Sequence, residues 1–144
     1  MDIRRLKVLS GILVEAEDYQ EEIIYDEEFL PIANRVCRRM FPNTVFEVYI
    51  DDDNYIAIED PEEKCKIAIG LANYENESVL TGAWAFCSPE FKGLTGNIFK
   101  AGHDFLKKKH PDDRVILTVQ NDTSDNYWPK LAQRLGIDYE NNSW

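Results

Sequence analysis

The sequence predicts one α+β domain spanning residues 1–144. Its core is a mixed central sheet, an antiparallel meander plus one parallel crossover pair, flanked by about four helices. Three observations predict this. β-rich runs over 44–50, 55–59, 64–74 and 79–87 succeed one another through short polar turns, which makes them antiparallel neighbours. A strand–helix–strand sequence then covers 79–119, and such a crossover sets its two strands parallel. Apolar residues at helical spacing stand before the meander and after it.

Taken in order, residues 3–9 read as a first strand, interrupted by Arg4, Arg5 and Lys7. Residues 12–24 carry a helical stripe through Ile12, Leu13, Ala16, Tyr19, Ile23 and Ile24. The second helical pattern, Phe29, Leu30, Ala33, Val36, Cys37, Met40 and Phe41, is cleaner. Asp26, Glu27 and Glu28 before it and Arg35, Arg38 and Arg39 toward its end complement the helix dipole. Pro31 belongs in a first turn, so this helix is expected to start near Phe29 or Leu30. The meander follows, with Asp51-Asp52-Asp53-Asn54 as a turn. That run lacks the alternating oxygen ligands, central Gly and closing Glu of a calcium loop. Gly70 marks a bend or bulge, and a further bulge is expected near Gly82.

After the fourth strand comes a turn holding Pro89, Gly93 and Gly96, then a helix over 98–109 whose last turn carries Lys107, Lys108 and Lys109 as a dipole cap. A strand over 114–119, a helix over 126–135 ended by Gly136, and a short strand over 137–139 complete the chain.

Charge and cysteine usage narrow the function classes. The chain has 27 acidic and 16 basic side chains, a net charge of −11. That argues against a nucleic-acid groove, which needs clustered Lys and Arg. It allows attraction of cationic amines, or a protein partner bound through the acidic surface by an inhibitor or nucleic-acid mimic. No apolar run reaches the roughly 20 residues of a membrane helix, and no secretory signal is evident. Three cysteines, Cys37, Cys65 and Cys87, and two histidines, without a CxxC, give neither a zinc site nor a disulfide framework. Three free thiols in a reducing cytoplasm are expected, with Cys37 and Cys87 in the core.

The turn between Cys87 and Ile98 is the candidate site. A glycine turn opening into a helix leaves backbone N–H groups unpaired where the dipole is positive, which suits a phosphate or other anion. Trp84, Trp128 and Trp144 read equally as core, interface or substrate contacts.

Several stretches together resemble the GNAT superfamily of acyl-CoA N-acyltransferases. These are Ile3-Arg4-Arg5-Leu6, Tyr55-Ile56-Ala57-Ile58-Glu59-Asp60 followed by Lys66-Ile67-Ala68-Ile69-Gly70, Cys87-Ser88-Pro89-Glu90-Phe91-Lys92-Gly93, and Val119-Gln120-Asn121 through Leu131 to Ile137. The resemblance covers nearly the whole chain. It implies acetyl-CoA as cofactor and a small-molecule or protein amine as acceptor; the acidic charge and the short apolar runs leave no nucleic acid and no membrane among the expected partners. It places the cofactor on Phe86, Cys87, Ser88, Lys92, Gly93, Leu94, Thr95, Gly96, Asn97 and Asn121. It also implies that the fourth and fifth strands splay, and that most of the catalysis comes from positioning two reactants. The sequence departs from the family pattern in two places. Thr95 and Asn97 occupy positions where small residues are usual, and a side chain at Thr95 would crowd a pyrophosphate unless its hydroxyl makes a contact. The family's tyrosine acid falls on Ala132, which leaves Tyr127 as the nearby candidate. Glu59 and Glu47 are the candidate bases.

Overall fold

The computed structural model describes residues 22–119 and 127–141. They form one seven-stranded sheet and three α-helices, α+β as expected. In chain order the elements are β1 (Ile23–Ile24), α1 (Asp26–Met40), β2 (Glu47–Ile50), β3 (Ile56–Glu59), β4 (Cys65–Tyr74) and β5 (Glu77–Cys87). A 3₁₀ turn (Pro89–Phe91), α2 (Leu94–Lys109), β6 (Arg114–Val119), α3 (Tyr127–Leu135) and β7 (Asp138–Asn141) follow. The strands lie in the order β2-β3-β4-β5-β6-β7, and β1 pairs with the far end of β4.

The meander β2–β5 is antiparallel throughout. Two parallel pairs follow rather than the one expected, because α2 carries the chain from β5 to β6 and α3 carries it from β6 to β7. The expected strand over 3–9 and most of the expected first helix lie outside the described residues. Where that helix was to end, Ile23 and Ile24 instead pair with Asn73 and Ala72 as β1. Adjacent β-branched residues extend readily, and here an edge of β4 is free to receive them. With 23–24 in a strand, three helices stand among the described residues where about four were expected.

Helix α1 begins at Asp26, earlier than Pro31 suggested. Its hydrogen-bond ladder starts at Tyr25, whose carbonyl accepts Phe29 N–H at 2.9 Å. Tertiary bonds anchor that first turn to β4. Tyr25 N–H donates to the Leu71 carbonyl at 2.9 Å. Asp26 Oδ1 accepts Leu71 N–H at 2.9 Å. Helix α2 likewise begins at Leu94, so residues expected in the turn form its first turn instead.

The core lies between the helices and one sheet face. Ile56, Ile58, Ile67, Ile69, Leu71, Leu80, Val115 and Leu117 point toward Phe29, Leu94, Ile98, Phe99, Leu106 and Leu131. Gly102 lets α2 press close, for a Cβ there would lie 2.9 Å from Leu80 Cδ2. Gly70 is no bulge. It pairs regularly with Thr81, and its missing side chain makes room for the Tyr55 ring. The expected bulge near Gly82 is present: Gly82 pairs with Ile69 and Trp84 with Ala68, leaving Ala83 as the extra residue.

The Asp51–Asn54 run is a side-chain-capped turn. Asp51 Oδ1 accepts Asp53 N–H at 3.0 Å and Tyr55 N–H at 2.9 Å. Among the described residues no helix is long and apolar enough to cross a membrane.

Candidate functional site

The bulge at Ala83 shapes the site. It shifts the alternation of β5, so that Ala85 and Cys87 face the helices while Trp84 and Phe86 turn to the other side, 41% and 62% exposed. Among the described residues the parallel ladder with β6 reaches Gly82 opposite Val119. At that point the Trp128 ring sits against Gly82, where a Cβ would lie 2.8 Å from the ring. Phe99 meets the same ring edge to face at 5.3 Å. Trp128 thus packs between Gly82 of β5 and Phe99 of α2.

A cleft of about 840 Å³ opens between the end of β5, the start of α2 and one face of α3. That volume lies in the range of small-molecule and cofactor sites. Its β5 wall and turn contribute Phe86, Cys87, Ser88, Lys92 and Gly93, and the first turn of α2 contributes Thr95, Gly96 and Asn97. These eight are all sequence-predicted site residues. Leu94 is not brought in, since its side chain is fully buried in the core. Asn121 lies outside the described residues.

The turn into α2 has a local cause. Lys92 (φ −53°, ψ 133°) and Gly93 (φ 90°, ψ −11°) have the central angles of a type II turn, which needs glycine second. Asn97 closes it from above, its Nδ2 donating to the Gly93 carbonyl at 2.7 Å and its N–H to the same oxygen at 3.0 Å. The amides of Leu94, Thr95 and Gly96, at the head of the helix, have no acceptor within it. Gly96 keeps this end open, because a Cβ there would have only Leu131 Cδ1 near, at 4.0 Å.

Thr95 does not crowd the helix start. Its side chain is buried, with Oγ1 3.7 Å from Cys87 Sγ and hydrogen-bonded to Tyr127. Tyr127, the candidate acid, opens α3 and lines the cleft. Burial pushes its phenol pKa up, while the Thr95 bond and the nearby Arg134 charge pull it back. The phenol therefore stays protonated at neutral pH. The candidate bases are not brought to the cleft. Glu47 and Glu59 lie directly opposite each other on β2 and β3, in one row with Lys66 and Phe86 on the sheet face away from the helices. Glu59 there accepts the Tyr49 hydroxyl at 3.2 Å and sits 4.0 Å from Lys66 Nζ.

Sequence reading missed Ala85, Pro89, Phe91, Lys100, Leu131, Arg134 and Leu135, which together with Trp128, read as core, interface or substrate contact, complete the lining. Helical spacing carried the signal: Trp128, Leu131 and Leu135 form one stripe, and Lys100 stands one turn after Gly96. Among the described residues the lining thus holds three cationic side chains, Lys92, Lys100 and Arg134, and no carboxylate. Lys100 is paired with Asp104 at 3.0 Å. Among the described residues no ion pair holds Lys92 or Arg134.

Cys65 and Cys87 stand directly opposite each other on β4 and β5, their Cα atoms 4.0 Å apart, and a disulfide joins them. The expectation of three free thiols is thus corrected. Both cysteines lie on the helix side at the open end of the β4–β5 pair, a register that wide sequence spacing concealed. Cys87 is half-buried and faces the cleft rather than lying in the core, and Cys37 is the free, buried thiol.

No family profile, curated protein or solved structure matches the chain.

Proposed function

We propose that this protein is an N-acyltransferase, taking an acetyl group from acetyl-CoA and passing it to an amine. The observation that carries the reading is the charge of the cleft. A chain of net charge −11 lines this cleft, among the described residues, with three cations and no carboxylate, at the head of a helix. Such a lining favours a polyanion. The β5 wall supports the reading from the other side, for residues 85–87 line the cleft and would give an extended amide-bearing ligand a strand to run beside.

The residues present fit acetyl-CoA. Lys92, Lys100, Arg134 and the first amides of α2 would hold its phosphates, and residues 83–86 of β5 would align its amide arm. When bound, the cofactor supplies an activated acyl group as a thioester. Trp128 and Leu131 exclude water from the floor of the cleft, and Tyr127 holds on its phenol oxygen a proton that it can give to a leaving atom. The chain's main contribution is orientation.

Thermal unfolding with acetyl-CoA tests the reading. At 100 times its dissociation constant the ligand adds about 2.7 kcal/mol of stability, a rise of several degrees for a domain of this size. Lys92→Glu and Arg134→Glu together should remove the rise while the free protein unfolds as before. No rise with the unaltered chain at millimolar ligand would end the proposal.

A further inference from the structure

We propose that Cys65 and Cys87 form a thiol–disulfide switch that a small-molecule thiol works from the cleft, and that its state sets the grip of the cleft on an anionic ligand. The two sulfurs differ in access. Cys65 is fully buried, and Asp60 holds its backbone on both sides: Asp60 Oδ1 accepts Cys65 N–H at 2.7 Å, and Asp60 N–H donates to the Cys65 carbonyl at 3.3 Å. Cys87 is half-buried and lines the cleft. An incoming thiolate therefore reaches Cys87 Sγ and not Cys65 Sγ.

The exchange balances without any further partner. The thiolate bonds to Cys87 Sγ, the Cys65–Cys87 bond breaks, and Cys65 leaves as a thiolate and takes up a proton. A second thiol then attacks the mixed disulfide at the small-molecule sulfur and releases Cys87. Two protein thiols and one small-molecule disulfide result, the two electrons coming from the two incoming thiols.

The consequence follows from what Cys87 holds. One residue on, Ser88 N–H donates to the Lys64 carbonyl at 2.8 Å, and the chain passes through Pro89–Phe91 to Gly93. Cys87 Sγ also touches Thr95 Oγ1 at 3.7 Å, the hydroxyl that bonds Tyr127. The disulfide thus fixes the end of the β5 wall to β4, and the Cys87–Thr95 contact sets the first turn of α2 against that fixed end. Reduction removes the covalent tie from the side of the turn that Asp60 does not hold. A looser wall binds the same anion less tightly, because ordering it again costs free energy.

The test starts with thiol counting. Protein kept with oxidised glutathione and alkylated after denaturation should show one reactive thiol, and three after treatment with 2-mercaptoethanol. Three thiols under both conditions overturn the proposal. Acetyl-CoA, which has no free thiol, is then titrated into both forms. Reduction should weaken binding about fivefold or more, and the double variant Cys65→Ala/Cys87→Ala should bind like the reduced form and ignore the reductant. Equal binding by both forms overturns the coupling, as does a double variant that still responds to reductant. If acetyl-CoA binds neither form, the acyltransferase reading fails and not the switch, which is then read by hydrogen exchange at the Ser88 amide. Faster exchange on reduction supports it, and unchanged exchange overturns it.

Discussion

Gly96 and Cys37 show how one side chain's surroundings decide what a change there does. Gly96 sits in the first turn of a helix with open space before it, so its lack of a side chain serves the cleft and not the packing. Gly96→Ala should stabilise the protein by up to about 1 kcal/mol in urea unfolding, from helix propensity alone. Gly96→Phe should leave the fold intact and abolish acetyl-CoA binding, because the ring would occupy the cleft. Retained binding in the Phe variant would mean the ligand lies elsewhere. Cys37 is the opposite case, a thiol closed into the core, with burial pushing its pKa from an ordinary 9.0 up to about 12. Between those values the unfolded chain loses this proton and the folded chain keeps it. Fewer protons bound to the unfolded state mean that stability falls as pH rises through that window, by at most about 1.4 kcal/mol per pH unit. Below pH 9 the group contributes no pH dependence. Cys37→Ala should flatten the alkaline limb of a plot of stability against pH, and an unchanged limb would assign it to other groups.

At the scale of elements, Asp26 reads from sequence as one of three acidic residues favouring a helix start, yet its carboxylate caps the backbone of another element. It is 3% exposed and accepts Leu71 N–H from β4. Asp26→Ala would leave that buried donor without its acceptor and should cost about 1–3 kcal/mol in urea unfolding, whereas Glu27→Ala, on the exposed side of the same turn, should cost less than about 1 kcal/mol. Equal costs would reduce Asp26 to a dipole charge. The meander, the bulge near Gly82 and the crossover through α2 were legible because each leaves a local mark: alternation, a glycine, a change of period. The helix starts at Asp26 and Leu94 were not, since the bond that begins α1 and the anchors that hold it come from Tyr25 and from Leu71 on a distant strand. Ile23 and Ile24 fit a helical stripe as well as a strand, and only the free edge of β4 decided between them. Within the site, the turn and the β5 wall could be read because they are contiguous. Arg134 and Trp128 could not be assigned to it, because only the packing of α3 on β5 brings them there. The Cys65–Cys87 bond depends on strand register, and that emerges only when β4 and β5 are paired.

The whole molecule sets two fields against each other, and this gives the cleft a distinctive salt response. Several basic side chains outside the cleft are spent locally: Lys64 on Glu62 and Glu90, Lys66 on Glu59 and Glu63, Lys109 on Glu28, and Arg114 on Glu77 and Asp138. With 27 carboxylates against 16 cations, the surface as a whole repels an anion, while Lys92 and Arg134 attract one at short range. Screening separates the two by distance. At about 0.01 M salt the Debye length is about 30 Å, so an approaching anion feels the net negative charge of the entire protein. At about 0.1 M it is about 10 Å, and the distant carboxylates are screened before the cleft is. Near 1 M it is about 3 Å, and the cleft's own attraction is lost too. The association rate of acetyl-CoA, followed by stopped-flow fluorescence of the tryptophans, should therefore rise with salt at first and then fall. Arg134→Gln should depress the maximum and keep the rising limb, because it removes local attraction and leaves the distant repulsion in place. A rate that falls steadily from the lowest salt would show that the cleft's field outweighs the acidic surface at every distance. A rate that only rises would show that its cations do not draw the ligand in at all.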